Sequence, residues 1–361
     1  MNINFFITSL GGGGAERVVC NLANYLVNRS HRVTITVLRG DEKTYILEED
    51  VRIEYLQSDY YKGNKGRLYR FKEITSTISF LKHLPEDALL VSMLELPVAY
   101  SLLFRSLFKQ KLIICERNNP DFYSSGYQYI FRKLAYRADG CVCQTATIMD
   151  WYNTKLRNKT QTAIIPNSIN EGVLKAPVSE RKSKIIMTMG RLEPQKNQTM
   201  LISAFAEVAK QYPEYKLYIY GKGPLENDLQ NQIDSLGIMG KVELKGFTKD
   251  IVSVFRESSC FVLTSNHEGM PNVLAEAMAM GLPCISTDCG GGGAKDLINN
   301  GVNGILISKN DKALLVESLK RLIDDKLYAD RLANEAIKIR KRLNPEDIHL
   351  HWEFFFNGLY N

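Results

Sequence analysis

The chain has 361 residues, of which 45% are hydrophobic, 24% charged and 10% aromatic, and its formal net charge is +6. That length implies two domains, and the composition supplies a core for each. The mild positive charge fits small anionic ligands or an anionic membrane surface and excludes a nucleic-acid-binding protein of the strongly basic kind. The apolar start, Met1 to Leu10, lacks the basic flank and small-residue cleavage pattern of a secretory signal. No apolar run approaches ~18 residues, so no membrane-spanning helix is expected. Together these predict a cytoplasmic protein. Seven scattered cysteines without a C-x-x-C pair are read as buried thiols, neither a disulfide framework nor a metal site.

In chain order, Ile3–Leu10 reads as a buried strand, Gly11–Gly14 as a turn, and Val18, Val19, Leu22, Ala23 and Leu26 as one face of a helix. Arg32–Leu38 returns as a β-branched strand, which completes a βαβ unit and implies a parallel sheet. Strands follow at Leu89–Met93, Lys111–Cys115, Gly140–Gln144 and Ala163–Ile165. The polar run Val178–Lys184 marks the domain junction. Beyond it the pattern restarts: strands at Ile185–Met189, Lys216–Tyr220, Val242–Leu244, Cys260–Thr264, Pro283–Ser286 and Gly304–Ile307. Helical spacing covers Leu201–Val208, a helix beginning near Pro224, Leu314–Leu322 and Leu327–Leu343. The expected fold is α/β: two doubly wound Rossmann-like domains, residues 1–177 and 178–344, with ligands at the carboxyl ends of strands in the cleft between them. The aromatic tail from Pro345, with Trp352, Phe354, Phe355, Phe356 and Tyr360, reads as a packing helix that can cross back onto the first domain.

The strongest chemical signal runs from Ser265 to Glu276. Pro271 suits the first turn of a helix, Gly281 its far end, and the N–H groups around Gly269, Met270 and Asn272 face the strand ends, where anions are favoured. Glu268 precedes that helix and Glu276 lies within it, and eight residues at the helical rise put them about 12 Å apart along the axis. That spacing suits two parts of one extended ligand, since carboxylates accept hydrogen bonds from sugar hydroxyls. Solvated acids on a capped helix are the alternative. After Met189, the run Gly190-Arg191-Leu192-Glu193-Pro194-Gln195-Lys196-Asn197 offers two cations that can neutralise a departing diphosphate.

These two segments resemble the E-x7-E and G-R-L-x-x-x-K-N motifs of the family 4 retaining glycosyltransferases of the GT-B fold. The resemblance implies that Glu268 contacts donor-sugar hydroxyls, Glu276 the nucleotide ribose, and Arg191 and Lys196 the diphosphate. Gly221, in Gly221-Lys222-Gly223-Pro224, fits the family's G-x-G turn, and Phe247, after the strand from Val242, its loop near the base. Gly290–Gly293, followed by Asp296, stands where relatives carry two glycines and an acid. The opening Gly12, Gly13, Gly14, Ala15, Glu16, Arg17 is similar to the family's G-G-A-E-R loop and is assigned to the acceptor or diphosphate. Glu16 stands where a dinucleotide fingerprint needs glycine, which argues against a dehydrogenase. Glu116-Arg117-Asn118-Asn119-Pro120 departs from the histidine common at that position, so Arg117 becomes the catalytic candidate of the first domain. His267 is the histidine to watch.

The implied reaction moves a hexose or N-acetylhexosamine from a nucleotide diphosphate sugar, UDP-linked, to a surface glycan or polyprenyl-diphosphate-linked saccharide, giving an α-glycoside with retention. No Asp-x-Asp occurs, and no metal or other cofactor is expected. An epimerase of the same fold and a non-catalytic nucleotide-sugar-binding protein are the alternatives. Ser58–Lys72 interleaves Lys62, Lys65, Arg67, Arg70 and Lys72 with Tyr60, Tyr61, Tyr69 and Phe71. Such a pattern grips anionic headgroups or is a solvated loop, with Arg132, Lys133 and Arg137 as an extension. On the first reading the protein is peripheral on the inner face of the plasma membrane.

Overall fold

The computed structural model describes residues 1–40, 43–58, 67–118, 132–180 and 183–360. By its contacts the chain divides into two compact units, Met1–Asn167 with Glu346–Asn361, and Ser168–Pro345.

Unit 1 holds a seven-stranded sheet in the order β3-β2-β1-β4-β5-β6-β7. Its strands are β1 (Asn2–Ile7), β2 (Arg32–Val37), β3 (Arg52–Tyr55), β4 (Ala88–Met93), β5 (Lys111–Glu116), β6 (Gly140–Cys143) and β7 (Gln161–Ile164). Every pairing is parallel; β1 is flanked by β2 in the register Phe5↔Ile35 and by β4 in the register Phe5↔Val91. In β1 Ile3, Phe5, Phe6 and Ile7 are apolar and buried because both sheet faces are covered, and the buried Asn4 accepts from the Thr36 hydroxyl at 3.1 Å. Ile3, Phe5 and Ile7 join Val19, Leu22, Trp352 and Phe356 on one side, and Phe6 joins Leu90, Leu112 and Tyr152 on the other.

The C-terminal helix, Pro345–Tyr360, belongs to this unit. Trp352 and Phe356 are fully buried, and Glu353 accepts hydrogen bonds from the Tyr25 hydroxyl at 3.1 Å and pairs with Arg29 at 2.7 Å and His31 at 3.0 Å. The aromatic tail therefore crosses back through both apolar burial and a carboxylate with three partners.

Unit 2 holds a six-stranded parallel sheet in the order β10-β9-β8-β11-β12-β13. Its strands are β8 (Ile185–Met189), β9 (Lys216–Tyr220), β10 (Val242–Gly246), β11 (Cys260–Leu263), β12 (Cys284–Asp288) and β13 (Ile305–Ser308). The helices Gln198–Gln211 and Lys312–Asp324 supply Leu201, Phe205, Leu315 and Leu319 to one core, and Asn272–Ala279 supplies Leu274 and Met278 to another.

Two expectations change. The junction falls between Asn167 and Ser168 rather than after residue 177. Ile169 and Val173 are core residues of unit 2, and the buried Ser179 hydroxyl donates to the Arg256 and Ser258 carbonyls, so the chain has entered that unit before the polar run is reached. The expected helix over Leu327–Leu343 is two, Lys326–Ala336 and Ile339–Arg342. No described helix is long and apolar enough to cross a membrane.

Candidate active site

In a doubly wound sheet the connections leave in opposite directions from two neighbouring strands, and the crevice that opens beyond their carboxyl ends receives the ligand. In unit 2 the strand order places that point between β8 and β11. The loop after β8 is Gly190–Asn197 and the loop after β11 runs from Thr264 to Pro271, so the two segments singled out from sequence leave from the two switch-point strands.

The loops are tied to each other. The Lys196 ammonium is ion-paired with Glu268 Oε1, and both side chains are largely buried, at 15% and 9% exposure. The Gln195 side-chain amide donates to the His267 carbonyl at 2.9 Å, and the Asn266 amide to the Pro194 carbonyl at 2.7 Å. The Thr264 hydroxyl reaches the Lys196 and Asn197 carbonyls, both at 3.0 Å. Arg191 lies mostly in solvent, near Glu193 at 3.3 Å, so its guanidinium is available to an incoming anion. His267 is half-buried, and that burial lowers its pKa.

Glycines set how closely these loops approach. Gly221 has φ +143°, and a Cβ there would lie 1.8 Å from the Gly190 carbonyl oxygen. Only glycine lets the loop after β9 lie against the loop after β8, where the Gly190 N–H meets the Tyr220 carbonyl at 2.9 Å. Gly293 does the same on the other side: its added Cβ would lie 1.7 Å from the Gly269 carbonyl oxygen, immediately after Glu268.

Pro271 caps the helix Asn272–Ala279 and does not occupy its first turn. The helical rise therefore applies only from Asn272, and the ~12 Å separation read for Glu268 and Glu276 is not a helical distance. Met278 and Met280 bracket the far end, and Gly281 follows with φ +72°, as a left-handed C-cap requires. Glu276 is 4% exposed, a position a carboxylate occupies only with partners. Met270, Pro271 and Gly269 are buried, whereas Phe247, just beyond β10, is exposed.

Unit 1 has its own switch point, between β1 and β4. Gly12, Gly13 and Gly14 lead from β1 into the helix Gly14–Val27, whose first turn carries Glu16, and the Tyr45 hydroxyl donates to the Gly12 and Gly13 carbonyls at 3.2 Å. Leu94, just beyond β4, takes φ +70°, a strained backbone for leucine.

Arg117 is placed differently from the expectation of a catalytic side chain. It is 8% exposed, donates to Asn167 at 2.7 Å and lies 5.5 Å over the Trp352 ring, with burial depressing its pKa. Its neighbour Glu116 accepts from Arg132 at 2.7 Å and the Tyr152 hydroxyl at 2.9 Å. Arg132 is thereby buried, and Arg137 donates to the Leu102 and Leu103 carbonyls, so neither extends a surface basic patch. Residues 59–66, with Lys62 and Lys65, and Asn119 and Pro120 lie outside the described residues.

Gln195 and Ser265 lie inside the two segments singled out from sequence but had no role there, and Thr264 and Thr287 carried no signal; all four act through short polar contacts that only the folded site creates. Among the described residues no group of three or more His, Cys, Asp or Glu is arranged to hold a metal.

Residues 12–172 match Glycosyltransferase Family 4, and residues 173–339 match Glycosyl transferases group 1. The chain is a family 4, group 1 glycosyltransferase. This glycosyltransferase is 27% identical over 98% of its length to an α-1,4-N-acetyl-D-galactosaminyltransferase of Campylobacter jejuni, of which the match covers 97%; that enzyme's name specifies an undecaprenyl-diphosphate-linked saccharide acceptor. It is 35% identical over 46% of each chain to the Escherichia coli UDP-Gal:α-D-GlcNAc-diphosphoundecaprenol α-1,3-galactosyltransferase. In fold it is similar to the Anabaena protein Alr3699/HepE solved with UDP and glucose, at a TM-score of 0.83 and 20% identity, covering 99% and 100% of the two chains.

Proposed function

We propose that this glycosyltransferase moves a hexose or N-acetylhexosamine from a UDP-sugar to a polyprenyl-diphosphate-linked saccharide of a surface glycan, forming an α-glycoside with retention. The observation that carries the reading is the Lys196–Glu268 pair at the switch point of unit 2, with Arg191 on the same loop. An ammonium has three N–H donors. Lys196 can therefore keep Glu268 on one and offer the others to a diphosphate, while Arg191 takes the same anion from solvent. Two fixed cations neutralise the charge that grows on the leaving UDP, and this assignment needs no metal. Glu268 accepts hydrogen bonds from the sugar hydroxyls and Glu276 from the ribose. Gly190, Gly221, Phe247, Gly269, Met270, Pro271 and Asn272 complete the donor pocket. The departing phosphate, on the same face as the acceptor hydroxyl, takes its proton.

The acceptor reading is supported by the two relatives whose names specify undecaprenyl-diphosphate saccharides and α-linkages. Gly12, Gly13, Gly14 and Glu16 in unit 1 are assigned to that acceptor, with Arg117, over the Trp352 ring, a positioning residue. Peripheral attachment to the inner face of the plasma membrane is supported by the helix Arg67–Lys82, which exposes Leu68 and Phe71 beside Arg70 and Lys72.

A panel of UDP-, GDP- and ADP-sugars, read by thermal shift and by product analysis, tests the reading. UDP stabilises the protein and Lys196→Ala abolishes that stabilisation; an undecaprenyl-diphosphate saccharide is extended with release of UDP. An isomerised donor with no UDP released identifies an epimerase instead.

A further inference from the structure

Ser265 lies two residues beyond the end of β11 and is fully buried. Its hydroxyl donates to Glu268 Oε1 at 2.6 Å, the same oxygen that pairs with Lys196. Its carbonyl in turn accepts from the Thr287 hydroxyl, also at 2.6 Å, and Thr287 is a fully buried residue of β12. Two hydroxyls thus connect the neighbouring strand to the carboxylate.

We propose that Ser265 is a positioning residue for Glu268, held in turn by Thr287, and that this pinning fixes which carboxylate oxygen faces the donor sugar; the proposal rests on Glu268 being the sugar contact. The last torsion of a glutamate is broad and two-fold, so an unpinned carboxylate presents either oxygen in a range of directions. Here Oε1 takes both protein donors, and among the described residues Oε2 takes none. An acceptor oxygen set before the ligand arrives costs no reordering when sugar hydroxyls bind. Ser265 also matters once a diphosphate engages Lys196. As the ammonium turns toward phosphate, the serine hydroxyl keeps Oε1 hydrogen-bonded in a site too buried for water to replace it readily. A serine that only fills its space would affect folding and nothing else.

The test measures dissociation constants of the full chain for UDP and for UDP-N-acetylgalactosamine, with UDP-glucose alongside, in the wild type, Ser265→Ala, Glu268→Gln and the double variant. The ratio of the UDP constant to the UDP-sugar constant isolates the sugar's contribution. Ser265→Ala lowers that ratio about tenfold, as for a lost hydrogen bond to a charged group, and leaves the UDP constant within about twofold. In the Glu268→Gln background the same serine change moves the ratio less than about twofold, because the group it acts through has already been altered. Thr287→Val, which keeps the side chain's shape, shifts the ratio in the same direction by about threefold and decides the matter if Ser265→Ala does not fold. An equal loss in both backgrounds, or a UDP constant that rises as much as the UDP-sugar constant, overturns the proposal. Glu268→Gln with an unchanged ratio is a different result: it removes Glu268 as the sugar contact, and the serine's role with it.

Discussion

Lys196 and Glu268, 72 residues apart in the chain, form an ion pair in which neither side chain is more than 15% exposed. Each residue neutralises a charge the other could not carry alone at that depth, so the two loops are mutually dependent before any ligand is bound.

Lys196→Ala therefore damages stability as well as chemistry. It leaves Glu268 with the Ser265 hydroxyl as its remaining side-chain donor among the described residues and is expected to cost about 2–3 kcal/mol, below the range for a completely buried pair because both side chains retain some solvent. Turnover falls at least about a hundredfold. Adding Glu268→Gln recovers most of the stability and none of the turnover. Urea denaturation beside a transferase assay separates the two effects; a double variant no more stable than Lys196→Ala contradicts the pairing.

Gly221→Ala is the more severe of two alanine substitutions near the site. The new Cβ meets backbone, the Gly190 carbonyl at 1.8 Å, and φ +143° is unfavourable for any side chain, so the loops must separate. Gly237→Ala also has a left-handed φ, +66°, but nothing lies within 4 Å of its added Cβ. Gly221→Ala should cost about 3 kcal/mol or more and weaken UDP binding, and Gly237→Ala about 1 kcal/mol with UDP binding unchanged. Thermal unfolding with and without UDP distinguishes them.

The attachment of the C-terminal helix carries an acid-dependent term. Burial alone would raise the Glu353 pKa, but hydrogen bonds from His31, Arg29 and Tyr25 outweigh it and hold the pKa below the ordinary value of 4.5. The unfolded chain therefore binds the proton more readily, and the stability from this group is complete above pH 4.5 and is lost as pH falls through the lower folded value. Glu353→Gln should be less stable than the wild type at pH 7, with the difference closing below pH 4.5. A difference that stays constant into that acid range would rule the network out as its source.

All seven cysteines are buried, and burial pushes the thiols of Cys20, Cys115 and Cys289 up to about 12. The thiolate is the reactive form, so native protein at pH 8 should react with a thiol reagent only as fast as it opens, and all seven should react at once in denaturant. Rapid labelling of even one thiol in the native state contradicts the packing around it.

Most strands of the sheets were legible because parallel strands covered on both faces are largely apolar, as in Ile185–Met189, broken only by Thr188, and Leu217–Tyr220. The strand Arg52–Tyr55 was not legible: three of its four residues are only half-buried and the fourth is exposed, so it has no apolar run. The helix Glu95–Leu103 escaped for the opposite reason, since it is apolar nearly all round and shows no 3.6-residue alternation.

By itself the sequence determined the alternation of strands and helices, the two domains and the residue types at the donor loops, because periodicity and local motif chemistry act over a few neighbouring positions. Only the tertiary structure decided that Lys196 meets Glu268, that Ser265 and Thr287 stand behind that carboxylate, that Arg117 is spent against Asn167 and Trp352, and that the last helix belongs to the first unit. Those contacts join residues tens to hundreds of positions apart. Which strand lies beside which is a property of the assembled sheet, and no short window of sequence contains it.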